Sequence, residues 1–91
     1  MTDVQARILI EGRLQGINFR YLTQDKARGL GLVGFVRTLA DGRVEIEAQG
    51  NKEQVDELLE WCQQEPHSSL IKSILFRYDE VTKGYADFSV R

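Results

Sequence analysis

The chain has 91 residues, of which 42% are hydrophobic and 29% charged, and its net charge is −2. This length and balance predict one domain around a single core, which excludes a multidomain or disordered protein. Twelve Lys and Arg residues offset by fourteen Asp and Glu residues, with no single-sign block, exclude a broad basic surface for nucleic acid or anionic lipid.

Cysteine content and hydropathy bear on the location of the protein. The single Cys62 has no partner for a disulfide or a thiolate metal site, which fits a reducing compartment. The longest apolar run, Ile8 to Ile10, is far too short to span a bilayer, and residues 1–7 lack the apolar region of a secretory signal. We therefore expect a cytoplasmic protein without membrane contact.

The first half of the chain predicts a strand, a helix and a hairpin. Residues 4–11 alternate as a strand does, and a loop over residues 12–18 leads into a helix over residues 19–30. The apolar face predicted for this helix consists of Phe19, Leu22, Ala27 and Leu30. Strands over residues 32–39 and 43–49 flank Asp41-Gly42, which is a strong hairpin signal.

The second half predicts a helix and two closing strands. Asn51 is a good N-cap, and the helix that follows ends before Pro66, with Val55, Leu58, Leu59 and Cys62 on its apolar face. Strands over residues 70–78 and 85–91 follow, separated by the polar stretch 79–84. This order predicts an α+β protein of the ferredoxin-like, split βαβ type: an antiparallel sheet of four to five strands with two helices on one face.

The loop after the first strand is the candidate site. It lies before a helix N-terminus, where unpaired amides and the helix dipole favour an anion, and its glycines allow close approach of a ligand. Arg20 follows in the first helical turn, where its guanidinium could bind two phosphate oxygens. On spacing alone, a plain direction-reversing loop with a solvated arginine is at least equally consistent with the sequence.

Two motifs resemble those of a known family. GRLQGINFR at residues 12–20 resembles the G-x-V-Q-G-V-x-F-R signature of the acylphosphatases, and GLVGFVRTLADGRVE at residues 31–45 resembles the second motif of that family. The ending FSVR at residues 88–91 is also similar, so the resemblance covers essentially the whole chain. Phe35 stands where the family usually has tryptophan.

The resemblance implies a single acylphosphatase-like domain over residues 1–91 that needs no metal or cofactor, and we expect this domain to be a monomer. It implies hydrolysis of small acyl phosphates to carboxylate and inorganic phosphate. The amides of Gln15, Gly16, Ile17, Asn18 and Phe19 and the side chain of Arg20 would bind the phosphoryl group. The asparagine that orients the attacking water in the family is replaced by Thr38, whose shorter hydroxyl offers a different donor geometry.

Other functions stay open beside this one. The main alternative is a catalytically impaired acylphosphatase-like module that binds phosphate and regulates or turns over slowly. An RNA-recognition domain is disfavoured because the strand over residues 43–49 carries two glutamates and no aromatic residue, and a metal chaperone would need two cysteines. The sequence favours His67 as a solvated loop residue, Arg37 as a surface residue, and Glu45 and Glu47 as solvated carboxylates.

Overall fold

The structure is a computed structural model that describes residues 3–64, 66–81 and 84–91. Parts of the predicted N-terminal segment (1–2), of the stretch before Pro66 (65) and of the polar stretch (82–83) lie outside the described residues. The elements are β1 (Asp3–Gly12), α1 (Phe19–Gly29), β2 (Val33–Thr38), β3 (Val44–Asn51), α2 (Lys52–Cys62), β4 (Ile71–Asp79) and β5 (Phe88–Val90), with 3-10 turns at Gln15–Ile17 and His67–Leu70. The predicted element order is confirmed.

The strands form one sheet in the order β4-β1-β3-β2-β5. β1 pairs antiparallel with β3 and β4, and β3 pairs antiparallel with β2. The prediction of an antiparallel sheet is wrong at one edge, because β5 pairs in parallel with β2, with Gly34 opposite Phe88. The reason is topological: β4 and β5 occupy opposite edges and run in opposite directions, so β5 has the direction of β2. In other respects the fold is the predicted ferredoxin-like sandwich.

The two helices cover one face of this sheet. α1 packs over β2 and β5, and α2 packs over β1 and β3. Alternate strand residues face the helices and are buried, among them Ala6, Ile8, Ile10, Val36, Val44, Ile46 and Ala48. The predicted apolar face of α2 is confirmed, since Val55, Leu58, Leu59 and Cys62 are all buried. No helix in the described part of the chain is long and apolar enough to cross a bilayer.

The buried face of α1 is rotated from the predicted one. Leu22 is 42% exposed, whereas Thr23 is fully buried. The Thr23 hydroxyl donates to the carbonyl of Phe19 at 2.8 Å, so its polar atom is satisfied inside the core. The buried residues Phe19, Thr23 and Ala27 therefore follow the i, i+4 row of the helix.

The hairpin between β2 and β3 turns where Asp-Gly predicts it. The amide of Leu39 donates to the Arg43 carbonyl at 2.7 Å, and the amide of Gly42 donates to the Leu39 carbonyl at 2.9 Å. Gly42 has a φ of 92°, a conformation that side chains disfavour. This turn and the end of β1 line the same cavity, so the hairpin forms one wall of the candidate site.

Candidate functional site

The loop between β1 and α1 is anchored at its start. The amide of Arg13 donates to the Leu70 carbonyl at 2.9 Å. A Cβ at Gly12 would lie 2.2 Å from the same carbonyl oxygen, so a glycine is required for this close approach. Leu14, which follows, is buried in the core. The loop therefore leaves the sheet at a fixed point.

The loop enters α1 through the 3-10 turn Gln15–Ile17 and a left-handed residue. Asn18 has φ 60° and ψ 39°, a region that asparagine tolerates better than most residues, and its side chain makes no capping hydrogen bond. Its carbonyl accepts from the amides of Tyr21 and Leu22 at 3.1 and 3.2 Å. The amides of Phe19 and Arg20 consequently have no acceptor inside the helix and stand at its positive end, an arrangement that favours an anion.

The residues predicted to form the phosphate cradle do not all lie in one place. Asn18 and Phe19 line a cavity, while Gly16 lines a neighbouring groove. The amide of Ile17 donates to the Leu14 carbonyl at 3.3 Å, so it must give up this long bond before it can bind a ligand. Gln15 begins the 3-10 turn.

Arg20 and Thr38 line the same cavity. It encloses about 390 Å³ and is bounded by Gly12, Leu14, Asn18, Phe19, Arg20, Thr38, Gly42 and Val44. β1, α1, β2, β3 and the hairpin turn all contribute, so the cavity exists only in the folded chain. Gly42 and Val44 belong to the second motif, although neither residue is predicted to have a role in the site.

Arg20 is held lightly within this cavity. Its side chain is half-buried, and Nη1 donates to the Arg91 carbonyl at 3.5 Å, a long contact. No carboxylate among the described residues forms an ion pair with Arg20. The positive charge of the guanidinium and most of its N–H donors are therefore available to a ligand.

Thr38 lies at the end of β2, opposite Val44. It is exposed, and its hydroxyl makes no hydrogen bond within the described part of the chain. A free hydroxyl at a cavity wall can donate one hydrogen bond to a water and accept others. Asn18, whose side chain carries a carboxamide, lines the same cavity.

A more open groove adjoins the cavity. It encloses about 710 Å³ and is bounded by Glu11, Gly12, Arg13, Gly16, Asp41, Gly42 and Arg43. The Arg43 amide and guanidinium donate to Asp41 at 3.0 and 2.8 Å, and these bonds lower the pKa of the Asp41 carboxyl. Glu11 pairs with Lys72 at 3.3 Å. Both carboxylates of the groove are thus already engaged with cations.

An aromatic cluster supports the loop from inside the fold. Phe19 stacks on Trp61 with ring centroids 5.6 Å apart and meets the edge of His67 at 5.7 Å. The prediction of a solvated His67 is wrong, because the residue is 5% exposed and its Nε2 donates to the Trp61 carbonyl. The last residue of the predicted cradle therefore rests on α2 and on the turn before β4. No motif in the sequence marks this support.

The open face of the sheet carries an ion-pair network. Glu45 binds both Arg7 and Arg37 at 2.6 Å and is only 3% exposed, so its prediction as a solvated carboxylate is wrong. Arg37 is an exposed strand residue, as predicted. Burial acts to raise the pKa of Glu45, but the hydrogen bonds from Arg37 and Arg7 outweigh it and lower the pKa. Among the described residues no three His, Cys, Asp or Glu side chains are grouped closely enough to share a metal ion.

Comparisons with known proteins agree with one another. The acylphosphatase family profile matches residues 6–90. An acylphosphatase of Marinobacter nauticus is 40% identical over 88 residues, which is 97% of this chain and 96% of the relative. The solved acylphosphatase from Coxiella burnetii has 30% identity and a TM-score of 0.88, with coverage of 99% of this chain and 94% of that one. The one from Bacillus subtilis has 33% identity and a TM-score of 0.88, with coverage of 97% and 98%.

Proposed function

The chain belongs to the acylphosphatase family, and we propose that its Arg20 and the main-chain donors of residues 15–19 bind the phosphoryl group of a small acyl phosphate. Acylphosphatase activity, the hydrolysis of a carboxyl-phosphate bond, follows from this membership. The observation that carries the assignment of residues is the single cavity lined by Arg20, Thr38 and the first turn of α1.

The reaction requires the protein mainly to bind the phosphoryl group and to position the attacking water. Water adds to phosphorus, the bond between phosphorus and the acyl oxygen breaks, and its electron pair leaves with the carboxylate. An acyl phosphate dianion and water thus give a carboxylate monoanion and dihydrogen phosphate. The conjugate acid of the leaving group has a pKa of about 4, so no general acid is needed. The work left to the site is to hold the phosphoryl oxygens and place the water in line.

Arg20 and the start of α1 supply that binding. The planar guanidinium can bind two phosphoryl oxygens at once, and the amides of Phe19 and Arg20 can bind a third oxygen at the positive end of the helix. The two amides belong to the backbone at the start of α1, so they need little reorganisation as charge spreads over the oxygens in the transition state. The same donors bind inorganic phosphate, the product.

Thr38 is the residue we assign to the attacking water. Its free hydroxyl belongs to the part of the cavity wall that β2 forms, whereas Asn18, Phe19 and Arg20 form another part. A hydroxyl held close to the strand restrains a water less completely than a carboxamide with both a donor and an acceptor. This feature also supports the second candidate function, a module that binds phosphate and hydrolyses acyl phosphates slowly.

Hydrolysis of benzoyl phosphate by the parent and by Arg20→Met tests the binding assignment. Loss of two charge-assisted hydrogen bonds, about 1.5–3 kcal/mol each, should lower kcat/KM by roughly 10²–10⁴-fold and remove competitive inhibition by orthophosphate. Arg28→Met is the matched control, since Arg28 also lies on α1 but pairs with Asp87 at 2.6 Å outside the cavity. Parental turnover and inhibition in Arg20→Met would refute the assignment.

Replacing Thr38 by Asn and by Ala separates the two candidate functions. If Thr38 positions the water adequately, the parent turns over robustly, Thr38→Ala loses activity and Thr38→Asn gains little. If the parent is an impaired module, Thr38→Asn should raise kcat by up to about 10²-fold while orthophosphate binding stays the same. Equal kcat in all three proteins would remove Thr38 from the mechanism.

The setting we propose is a monomeric protein of the cytoplasm with no partner beyond its small substrate. The near-balanced net charge of −2 and the buried lone Cys62 support this setting. Light scattering of the purified protein tests the monomer. Fractionation of cells that express the chain tests its location.

A further inference from the structure

The groove beside the cavity is placed to receive the part of the substrate that is not phosphate. Gly12 and Gly42 line both depressions, so the two are continuous across these residues. Gly16 borders the groove, and a Cβ there would meet nothing within 4 Å. Packing inside the protein therefore does not require a glycine at this position, whereas close approach of a ligand would use one.

In-line attack directs the acyl part toward this groove. The attacking water and the leaving oxygen lie on opposite sides of phosphorus. With the water beside Thr38 on β2, the acyl group must leave away from β2. Thr38 lines the cavity and not the groove, Arg13 and Gly16 line the groove and not the cavity, and the two depressions meet at Gly12 and Gly42.

Among the described residues, Arg13 is the cation of the groove that forms no ion pair. Asp41 pairs with Arg43 at 2.8 Å, and Glu11 pairs with Lys72 at 3.3 Å. Arg13 is exposed, and within the described residues its guanidinium has no ion pair or hydrogen bond. An arginine whose neighbouring carboxylates are already engaged is free to bind an anionic group, and its planar fork suits a carboxylate.

We infer that Arg13 is a specificity-determining residue that binds a second anionic group, such as a carboxylate, at the end of the acyl part remote from the phosphoryl group. Among small acyl phosphates, the preferred substrates are then those of dicarboxylic or otherwise anionic acids. This inference rests on the proposed function, because the phosphoryl group must occupy the Arg20 cavity for the acyl end to reach Arg13.

The test compares two substrates of equal chain length, succinyl phosphate and butyryl phosphate, which differ in a terminal carboxylate. The measured quantity is the ratio of their kcat/KM values in the parent, Arg13→Met, Arg13→Lys and Arg28→Met. We expect Arg13→Met to lower the succinyl-to-butyryl ratio by roughly 2- to 5-fold, a modest effect because the guanidinium is exposed to water. Arg13→Lys should restore part of the ratio. Arg28→Met, which removes the same charge from outside the groove, should leave it unchanged.

Salt gives a second readout. Added potassium chloride should lower the ratio in the parent but not in Arg13→Met, because an exposed ion pair is screened. Arg13→Met would overturn the inference if it slowed both substrates equally, as a general phosphate-binding residue would, or if it changed neither.

Failure of the proposed function is distinguishable from failure of this inference. A parent that hydrolyses neither substrate refutes the proposed function alone. The subsite is then decided by dissociation constants for succinylphosphonate and butyrylphosphonate, in which a phosphorus–carbon bond replaces the cleavable bond. A succinyl preference that Arg13→Met removes supports the subsite, and the absence of that preference overturns it.

Discussion

Alanine at Gly12 and alanine at Gly16 should separate stability from phosphate binding. Both glycines belong to the same loop region, and each substitution adds one methyl group. At Gly12 that group would lie 2.2 Å from the Leu70 carbonyl oxygen and 2.9 Å from the Ile71 Cα, both of them main-chain atoms. At Gly16 it would stand in open space at the groove.

The expected magnitudes follow from these surroundings. Gly12→Ala must displace main-chain atoms, and overpacking of this kind costs about 1–3 kcal/mol. The displacement also weakens the 2.9 Å hydrogen bond from the Arg13 amide to the Leu70 carbonyl, which contributes about 1 kcal/mol. The sum of about 2–4 kcal/mol corresponds to a Tm lower by roughly 8–30 °C. Gly16→Ala should change stability by no more than about 0.5 kcal/mol. Because the proposed phosphate donors include the Gly16 amide, a methyl group beside that amide should nevertheless weaken orthophosphate binding by about 10- to 100-fold, the equivalent of one charge-assisted hydrogen bond.

Thermal unfolding and calorimetric titration with orthophosphate, carried out on both variants, provide the assay. We expect Gly12→Ala to lose stability and Gly16→Ala to lose affinity for orthophosphate. A Gly16→Ala variant that binds orthophosphate as the parent does would show that the main chain at this residue does not approach the anion. A Gly12→Ala variant with the parental Tm would refute the close approach of β1 to the turn before β4.

Three further results are expected. The pKa of Glu45 is lowered from 4.5 in the folded chain, so its ion pairs stabilise the fold above pH 4.5 and are lost as pH falls through the folded pKa. In urea titrations, the difference in unfolding free energy between the parent and Glu45→Gln should therefore shrink from about pH 6 to about pH 3. A constant difference would contradict this. Burial raises the pKa of Cys62 to about 12, so its thiol should react with Ellman's reagent only after unfolding in urea, and prompt labelling of the native protein would count against it. Leu58→Ala, at a fully buried residue, should lower the free energy of unfolding by about 2–5 kcal/mol. Leu75→Ala, at a residue 64% exposed, should lower it by less than about 0.5 kcal/mol. Equal losses in the two variants would disprove the assigned core.

The sequence carries those parts of the fold that local patterns encode. Alternation of apolar and polar residues predicts β3, the helical spacing of apolar residues predicts α2, and Asp41-Gly42 predicts the hairpin. Each of these signals lies within one element or one turn. The parallel pairing of β5 with β2 joins residues more than fifty positions apart and depends on which sheet edge remains free, which no local pattern states. Thr23 replaces Leu22 in the core because a hydrogen bond to its own helix satisfies the hydroxyl.

The candidate site divides in the same way. The motif residues Asn18, Phe19, Arg20 and Thr38 could be named from the sequence, and the fold places them around one cavity. His67 could not be predicted as a support for Phe19, since its burial depends on the packing of α2 against the turn before β4. Arg13 lies within the first motif, but its availability becomes visible only when the pairs formed by Asp41 and Glu11 are known.

The stacking of Phe19 on Trp61 makes tryptophan fluorescence a signal of ligand binding. Trp61 is the only tryptophan in the chain, so its emission comes from one place. Its indole lies 5.6 Å from the ring of Phe19, which lines the cavity. Movement of the loop onto an anion would alter the surroundings of that indole, which would let intrinsic fluorescence follow ligand capture without a label or a chromogenic substrate.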